Sequence, residues 1–175
     1  MADPTLFTVS DSYPLERIFP IRQGRSPPQV GKTGQDKGRW SVGITLCWLL
    51  NDCGRVVAWD WDTMNGNDQR FNPLVERWNG QTMTLADDGF RDQDGVPETM
   101  QMGKQGTWHE RMCIETALSL VTVICDVKRI RHRLAAYIQA RLAFVAAMFN
   151  VLMDLFQISH PEADPDKMSI AEFSL

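Results

Sequence analysis

No two of the four cysteines form a CxxC pair; Cys47, Cys53, Cys113 and Cys125 are scattered along 175 residues. A structural zinc site needs thiolates or imidazoles at short spacing to close a tetrahedron, so none is expected, and the cysteines read as reduced thiols of a cytosolic core. No secretory leader is expected from residues 1–10, which show no basic stretch ahead of an apolar run. An uninterrupted membrane-spanning run is lacking too. Residues 134–156 come nearest but include Gln139, Arg141, Asn150 and Asp154, which reads as a packing helix and not a membrane partner. The chain has no excess of positive charge: 18 Lys+Arg stand against 22 Asp+Glu, a net charge of −4. What is present is 43% hydrophobic and 23% charged residues, an ordinary globular composition that excludes collagen-like, disordered and disulfide-scaffold classes.

That mild acidity is an average over uneven segments. Residues 1–40, 41–103, 104–142 and 143–175 carry net charges of +2, −6, +4 and −4 in turn. Two basic stretches, 22–39 and 128–133, are therefore candidate contacts for a polyanion. The expected organisation is one domain over 1–158 and an acidic flexible tail over 159–175.

The apolar run 6–10 (LFTVS) predicts a buried strand that ends at Asp11. Residues 23–38, rich in Gly, Pro, Lys and Arg, predict a loop. Residues 40–50 and 56–61 predict two strands joined by the turn Asn51-Asp52-Cys53-Gly54, an antiparallel hairpin. A short helix is expected within 67–78, with Pro73 in its first turn and Gly80 closing it. Strands are expected at 82–86 and 98–102, then a helix from Trp108 onward and a longer one over 132–156. This order predicts an α/β fold, a mixed sheet of RNase H-like layout with flanking helices.

Asp11, Asp87 and Glu115 come from three separate elements of that layout. The first and fourth strands would lie side by side, bringing Asp11 near Asp87, and the helix carrying Glu115 would pack against that edge. Crowded carboxylates repel unless cations share the site, and hard divalent ions with oxygen ligands suit it. Two such ions about 3.5–4 Å apart activate a water or a 3′-hydroxyl and stabilise the leaving oxygen of a phosphodiester.

Five segments, in order, carry a closer resemblance: DSYPLERIFPIRQGR at 11–25, RWSVGITLCWLLNDCGRVVAWDWDTMNGND at 39–68, LADDGF at 85–90, GTWHERMCIETALSL at 106–120 and RHRLAAYIQARLAFVAAMFNVL at 131–152. Together they resemble the DDE transposases of bacterial insertion sequences over roughly residues 7–157. The resemblance implies that Asp11, Asp87 and Glu115 are catalytic and hold Mg²⁺ or Mn²⁺. Asp87 follows the small Ala86, as the family's second Asp does, and Asp88 takes the variable position. Trp108, Arg111 and Glu115 keep the spacing of the family's Tyr-x2-Arg-x3-Glu-x6-Lys signature, with Trp for Tyr and Thr122 where the Lys would stand. Arg111 is expected on a DNA phosphate, and Lys128 lies further along the same segment.

The expected partners are DNA, both element ends and target, and further copies of the chain in a nucleoid-associated, cytoplasmic complex. Arg22, Arg25, Lys32, Lys37, Arg39, Trp108, Arg111 and Lys128 are the expected DNA contacts. Gly31-Lys32-Thr33 is not a P-loop, because Ser26 stands where the first Gly is needed and Pro27-Pro28 precede it. Asp60 and Asp62 alternate with Trp59 and Trp61, so the acids and the indoles take opposite faces, and a structural role is expected for both acids. His109 and His132 lack ligand-like partners at short spacing. Such transposases usually carry a helical end-binding region ahead of the first Asp. Only ten residues precede Asp11, so an N-terminally truncated catalytic domain is expected. Two rival readings follow: a non-catalytic remnant that binds DNA or a full-length transposase, and an RNase H-like nuclease without strand transfer.

Overall fold

The computed structural model describes residues 5–14, 33–36, 39–64, 66–86, 88–91, 95, 97–102, 117, 119–127, 130–132 and 134–163. These form a mixed α/β structure. Strand β1 is Thr5–Pro14, β2 Thr33–Asp36, β3 Arg39–Asn51, β4 Val56–Thr63, β5 Met83–Ala86 and β6 Met100–Met102. A 3-10 turn at Asp68–Phe71 runs into the short helix α1, Asn72–Glu76, with Pro73 in its first turn, and the long helix α2 is Ala135–Ser159. Ala117 and residues 119–123 are also helical.

Strand β3 is the organiser. Its residues 43–50 are all buried, and the run GITLCWLL, apolar except for the buried Thr45, is what a strand covered on both faces requires. Ile44, Leu46, Trp48 and Leu50 look to one face, where they meet Tyr13, Val121, Phe149 and the inner side of α2. Cys47 and Leu49 look to the other, against Phe71, Leu74, Val75, Ala86 and Phe90. Along one edge β3 pairs antiparallel with β1, from Leu6↔Asn51 to Pro14↔Gly43. It also pairs antiparallel with β4, from Ile44↔Thr63 to Leu50↔Val56, with an irregularity at Leu49/Leu50. Beyond β1 the sheet changes sense: β5 runs parallel to β1, and β6 parallel to β5.

The hairpin turn forms as its residues dictate. The Asn51 side-chain carbonyl accepts the backbone N–H groups of Cys53 and Arg55 at 3.1 and 2.9 Å. Gly54 takes φ 73°, where a Cβ would be strained. Gly80, also at positive φ, ends the turn after α1.

Two expectations are corrected. The first strand does not end at Asp11. Thirteen residues of β3 offer ladder partners as far as Pro14, so Asp11 sits inside β1, opposite Leu46. The stretch read as a loop over 23–38 contains β2, whose TGQD has no apolar alternation; it pairs because the start of β3 overhangs the sheet, from Thr33↔Val42 to Asp36↔Arg39. The hairpin, the helix after Asn67 and strands within 82–86 and 98–102 lie where they were expected, with shorter bounds for β5 and β6.

Helix α2 is fastened to the sheet by more than apolar contact. Its inner side buries Ile138, Leu142, Val145, Phe149, Met153 and Phe156, each worth about 1.5–3 kcal/mol of gross burial. Trp48 and Phe149 meet at 5.3 Å between ring centres. Asn150 mimics a strand: its side-chain carbonyl accepts the Val56 N–H at 2.8 Å, and its amide donates to the Val56 carbonyl at 2.9 Å. Gln139 accepts from the Trp61 indole N–H. Arg141 donates to the Asp126 carbonyl at 3.0 Å, tying α2 to the end of the preceding helical stretch, where Asp126 has φ 49°. Cys47 and Cys125 are buried, and burial pushes the Cys125 thiol up to about 11.

Because Asn150 satisfies both backbone groups of Val56, an apolar residue there orphans a donor and an acceptor together. Asn150→Leu is expected to lower unfolding free energy by about 2–4 kcal/mol, measured by urea denaturation, and Asn150→Asp to lose part of it by removing the amide donor alone.

Candidate active site

The two faces of β1 carry different chemistry. Period-2 alternation puts Phe7, Asp11 and Tyr13 on the face toward α2, and Leu6, Thr8 and Ser10 on the face toward α1; the apolar clusters divide the same way. Asp11 is half-buried. Tyr13, 1% exposed, donates its hydroxyl to the Asp11 carboxylate, and the Thr122 hydroxyl reaches the same phenol oxygen. Burial, the Asp11 charge and the Asp11 hydrogen bond, in that order, hold the Tyr13 phenol far above its ordinary value. Tyr13 thus stays a neutral donor that orients Asp11 and anchors Thr122 to the sheet.

On the opposite face the acids are engaged in structure. Ser10 Oγ donates to Asp68 at 2.7 Å. Asp62 forms an ion pair with Arg70 and accepts the Thr63 N–H at 2.6 Å. Desolvation works against the ionised form of Asp62, and the Thr63 and Arg70 contacts outweigh it, so its carboxyl lies below the usual range. Asp60 accepts the Trp61 N–H at 2.8 Å. Through the register Asp60↔Cys47 and Asp62↔Thr45, both acids lie on the side away from Asp11. Trp59 and Trp61 pack into the cluster on the Asp11 side. The expected division of indoles and acids between faces is therefore present.

Of the candidate catalytic residues, Asp11 is described. Asp87 and Glu115 lie outside the described residues, as do Arg22, Arg25, Lys32, Lys37, Trp108, Arg111 and Lys128. Arg39 is the first residue of β3 and pairs with Asp36. Strand β5, whose last residue Ala86 immediately precedes Asp87, is the parallel neighbour of β1. Its alignment is Leu6↔Thr84 and Phe7↔Leu85, and Thr8 Oγ1 donates to the Leu85 carbonyl at 3.1 Å. Thr122, seven residues after Glu115, touches Tyr13, two residues beyond Asp11. Among the described residues no group of three or more His, Cys, Asp or Glu side chains is placed to hold a metal ion. The Asp11 carboxylate itself is a hard oxygen donor of the kind Mg²⁺ and Mn²⁺ take.

Tyr13 was not singled out from the sequence. The available signal was its i, i+2 relation to Asp11, which puts both on one face of any strand through this segment. Thr122 was noted as the residue in the Lys position of the signature; its contact to Tyr13 adds a packing role.

No family model, curated protein or solved structure matches the chain.

The Tyr13 environment has a measurable signature. A phenol whose folded pKa is raised contributes stability that is complete below its unfolded value of about 10 and is lost as pH climbs past it. Wild-type stability is therefore expected to fall between about pH 10 and 11.5 by an increment that Tyr13→Phe lacks. At pH 7 the same variant is expected to be about 1–2 kcal/mol less stable, from the lost hydrogen bond to a charged group. Equal pH slopes for the two proteins in denaturant titrations would exclude the Asp11–Tyr13 pairing.

Proposed function

We propose that the chain is an RNase H-like catalytic domain of DDE type, which cleaves DNA and transfers its strands with Mg²⁺ or Mn²⁺ held by Asp11, Asp87 and Glu115. The observation that carries this reading is the strand order β4-β3-β1-β5-β6 with its senses: β3 is antiparallel to both neighbours, while β1, β5 and β6 run parallel. This is the arrangement expected of the RNase H-like sheet, with β2 as an addition on the overhang of β3. It makes β1, bearing Asp11, the direct neighbour of the strand leading into Asp87. The contact of Thr122 with Tyr13 supports the third member, because it brings the helical segment downstream of Glu115 to the Asp11 face.

In this reading Asp11 supplies a half-buried, oriented carboxylate on the sheet face beneath that helical segment. Tyr13 keeps its geometry, and burial of Tyr13 excludes water from one side of it. The divalent ions would polarise the scissile phosphate and lower the pKa of the attacking hydroxyl. Arg22, Arg25, Lys32, Lys37, Arg39, Arg111 and Lys128 would bind the phosphate backbone, and Trp108 would stack on a base or sugar, so binding is expected to weaken steeply with salt.

The test is nicking of supercoiled DNA with and without Mg²⁺ or Mn²⁺, followed by joining assays on DNA carrying the element ends. Asp11→Asn is expected to lower the metal-dependent rate by more than about 100-fold, since even outer-shell partners of metal ligands cost 10–100-fold. Asp60→Asn, on the opposite face of the sheet, should leave the rate unchanged. Equal effects of the two substitutions would overturn the site. Salt-sensitive DNA binding with no cleavage under either metal would assign the chain to the non-catalytic reading.

A further inference from the structure

Helix α2 is apolar on two sides. The inner side is spent on the sheet. The outer side carries Tyr137, Phe144, Met148, Val151, Leu155 and Ile158, each 41–77% exposed. These six are not scattered: with Arg141 they stand at 137, 141, 144, 148, 151, 155 and 158, alternating steps of four and three. That is an a/d seam sustained over three heptads, the 3.5-residue period by which one helix packs along another. Ala140 and Ala147 flank it and allow close approach of a second backbone.

We propose that this seam pairs with the α2 seam of a second copy of the chain, antiparallel and about a two-fold axis, to make a homodimer. Three observations favour a second copy over another occupant. The first is self-complementarity. The N-terminal half of the seam borders a groove of about 480 Å³ lined by Cys125 and His132, with Tyr137, Arg141, Phe144 and Met148 on the α2 wall. The C-terminal half offers the protruding Val151, Leu155 and Ile158. A two-fold axis midway between Met148 and Val151 lays Leu155 of one copy across Phe144 of the other, and Ile158 across Arg141, so each copy's knobs meet the other's groove. The second is charge. The only charged residues of α2 are Arg141 toward its start and Asp154 toward its end. The antiparallel pair brings the Arg141 of one copy within about one helical turn, roughly 6 Å of rise, of the level of the other's Asp154, which is already ion-paired with Arg55 of its own chain, so the arrangement avoids like-charge contact and sets opposite charges near each other. A parallel pair would stack Arg141 on Arg141 and Asp154 on Asp154. The third is area. With side chains of roughly 150–250 Å² each, the seam residues expose on the order of 700 Å² per copy, close to the ~800 Å² per partner of a standard stable interface.

The helix is also long and apolar enough to cross a membrane by length and composition. Its inner face, however, is packed on the sheet, and Asn150 is bonded to Val56, so a lipid surface competes only for the seam. The dimer is independent of the proposed DNA chemistry and is tested without it. Sedimentation velocity on the full chain at about 100 µM, ample for a micromolar dimer, is expected to give twice the 19.9 kDa chain mass. Phe144→Glu with Leu155→Glu should give the single-chain mass with an unchanged far-ultraviolet circular dichroism spectrum, because both positions are exposed. Val57→Glu, an exposed apolar site on β4, should leave the dimer intact. For orientation, mixed Arg141→Cys and Ile158→Cys chains should cross-link between positions 141 and 158 under mild oxidation, while Ile158→Cys alone should not cross-link through that position. A monomeric wild type, a dimer that survives the double Glu variant, or a monomer that floats with phosphatidylcholine vesicles would each overturn the proposal.

Discussion

Everything described in this chain depends on one strand that is covered on every side. Strand β3 gives its backbone to β1, β4 and β2, and its side chains to both layers of the core. A strand in that position is apolar on both faces apart from Thr45, and a one-residue slip would turn Trp48 and Leu46 toward α1 and Cys47 toward α2. The two faces differ in what they meet: Trp48 packs against Phe149 of α2, whereas Cys47 and Leu49 join the layer formed with Phe71 and Phe90. Once β3 is set, the faces of β1 and β4 follow from it, and so does the separation of Asp11 from Asp60 and Asp62.

That separation governs the chemistry the sheet can support. A carboxylate inside a strand is costly unless something answers its charge or its hydrogen-bonding capacity. On the α1 face the answer is structural: Arg70 for Asp62 and Ser10 for Asp68. On the α2 face Asp11 has Tyr13, a neutral donor held by burial, which orients the carboxylate without cancelling its charge. An acid in an ion pair, as Asp62 is with Arg70, has spent much of its capacity to hold a cation. The candidate site is centred on Asp11 because the buried Tyr13 phenol meets both its carboxylate and Thr122 on that face.

Much of the fold was legible in the sequence because the signals were local. The NDCG turn between two apolar runs, Pro73 in a first helical turn and Gly80 after it each specify backbone geometry within a few residues. What was not legible depended on distant partners. TGQD at 33–36 has nothing in its composition that marks a strand, and it becomes one because β3 extends past the reach of β1 and β4. The continuation of β1 through Asp11 to Pro14 has the same origin: polar residues join a ladder when a long neighbour offers one. Asp11 could be picked as a candidate ligand from its place after an apolar run, but its link to Tyr13 and Thr122 needed the packing of a helical segment from more than a hundred residues away.

Helix α2 illustrates a further limit of reading polarity by count. Four polar residues in an otherwise apolar stretch indicate a helix that packs on protein, and the structure gives each of them a polar partner: Gln139 to Trp61, Arg141 to Asp126, Asn150 to Val56 and Asp154 to Arg55 at 2.6 Å. Those four partners all belong to this chain's own sheet and loops, and they leave the apolar residues of the outer row unexplained. A helix needing only one buried stripe would place Lys, Glu or Gln at 144, 151, 155 and 158; this one places Phe, Val, Leu and Ile. Exposed singly, such residues are unremarkable on a protein surface. Aligned at heptad spacing along about 32 Å of helix, they form a contiguous patch, and a patch of that shape carries a standing solvation cost that burial against a matching surface removes.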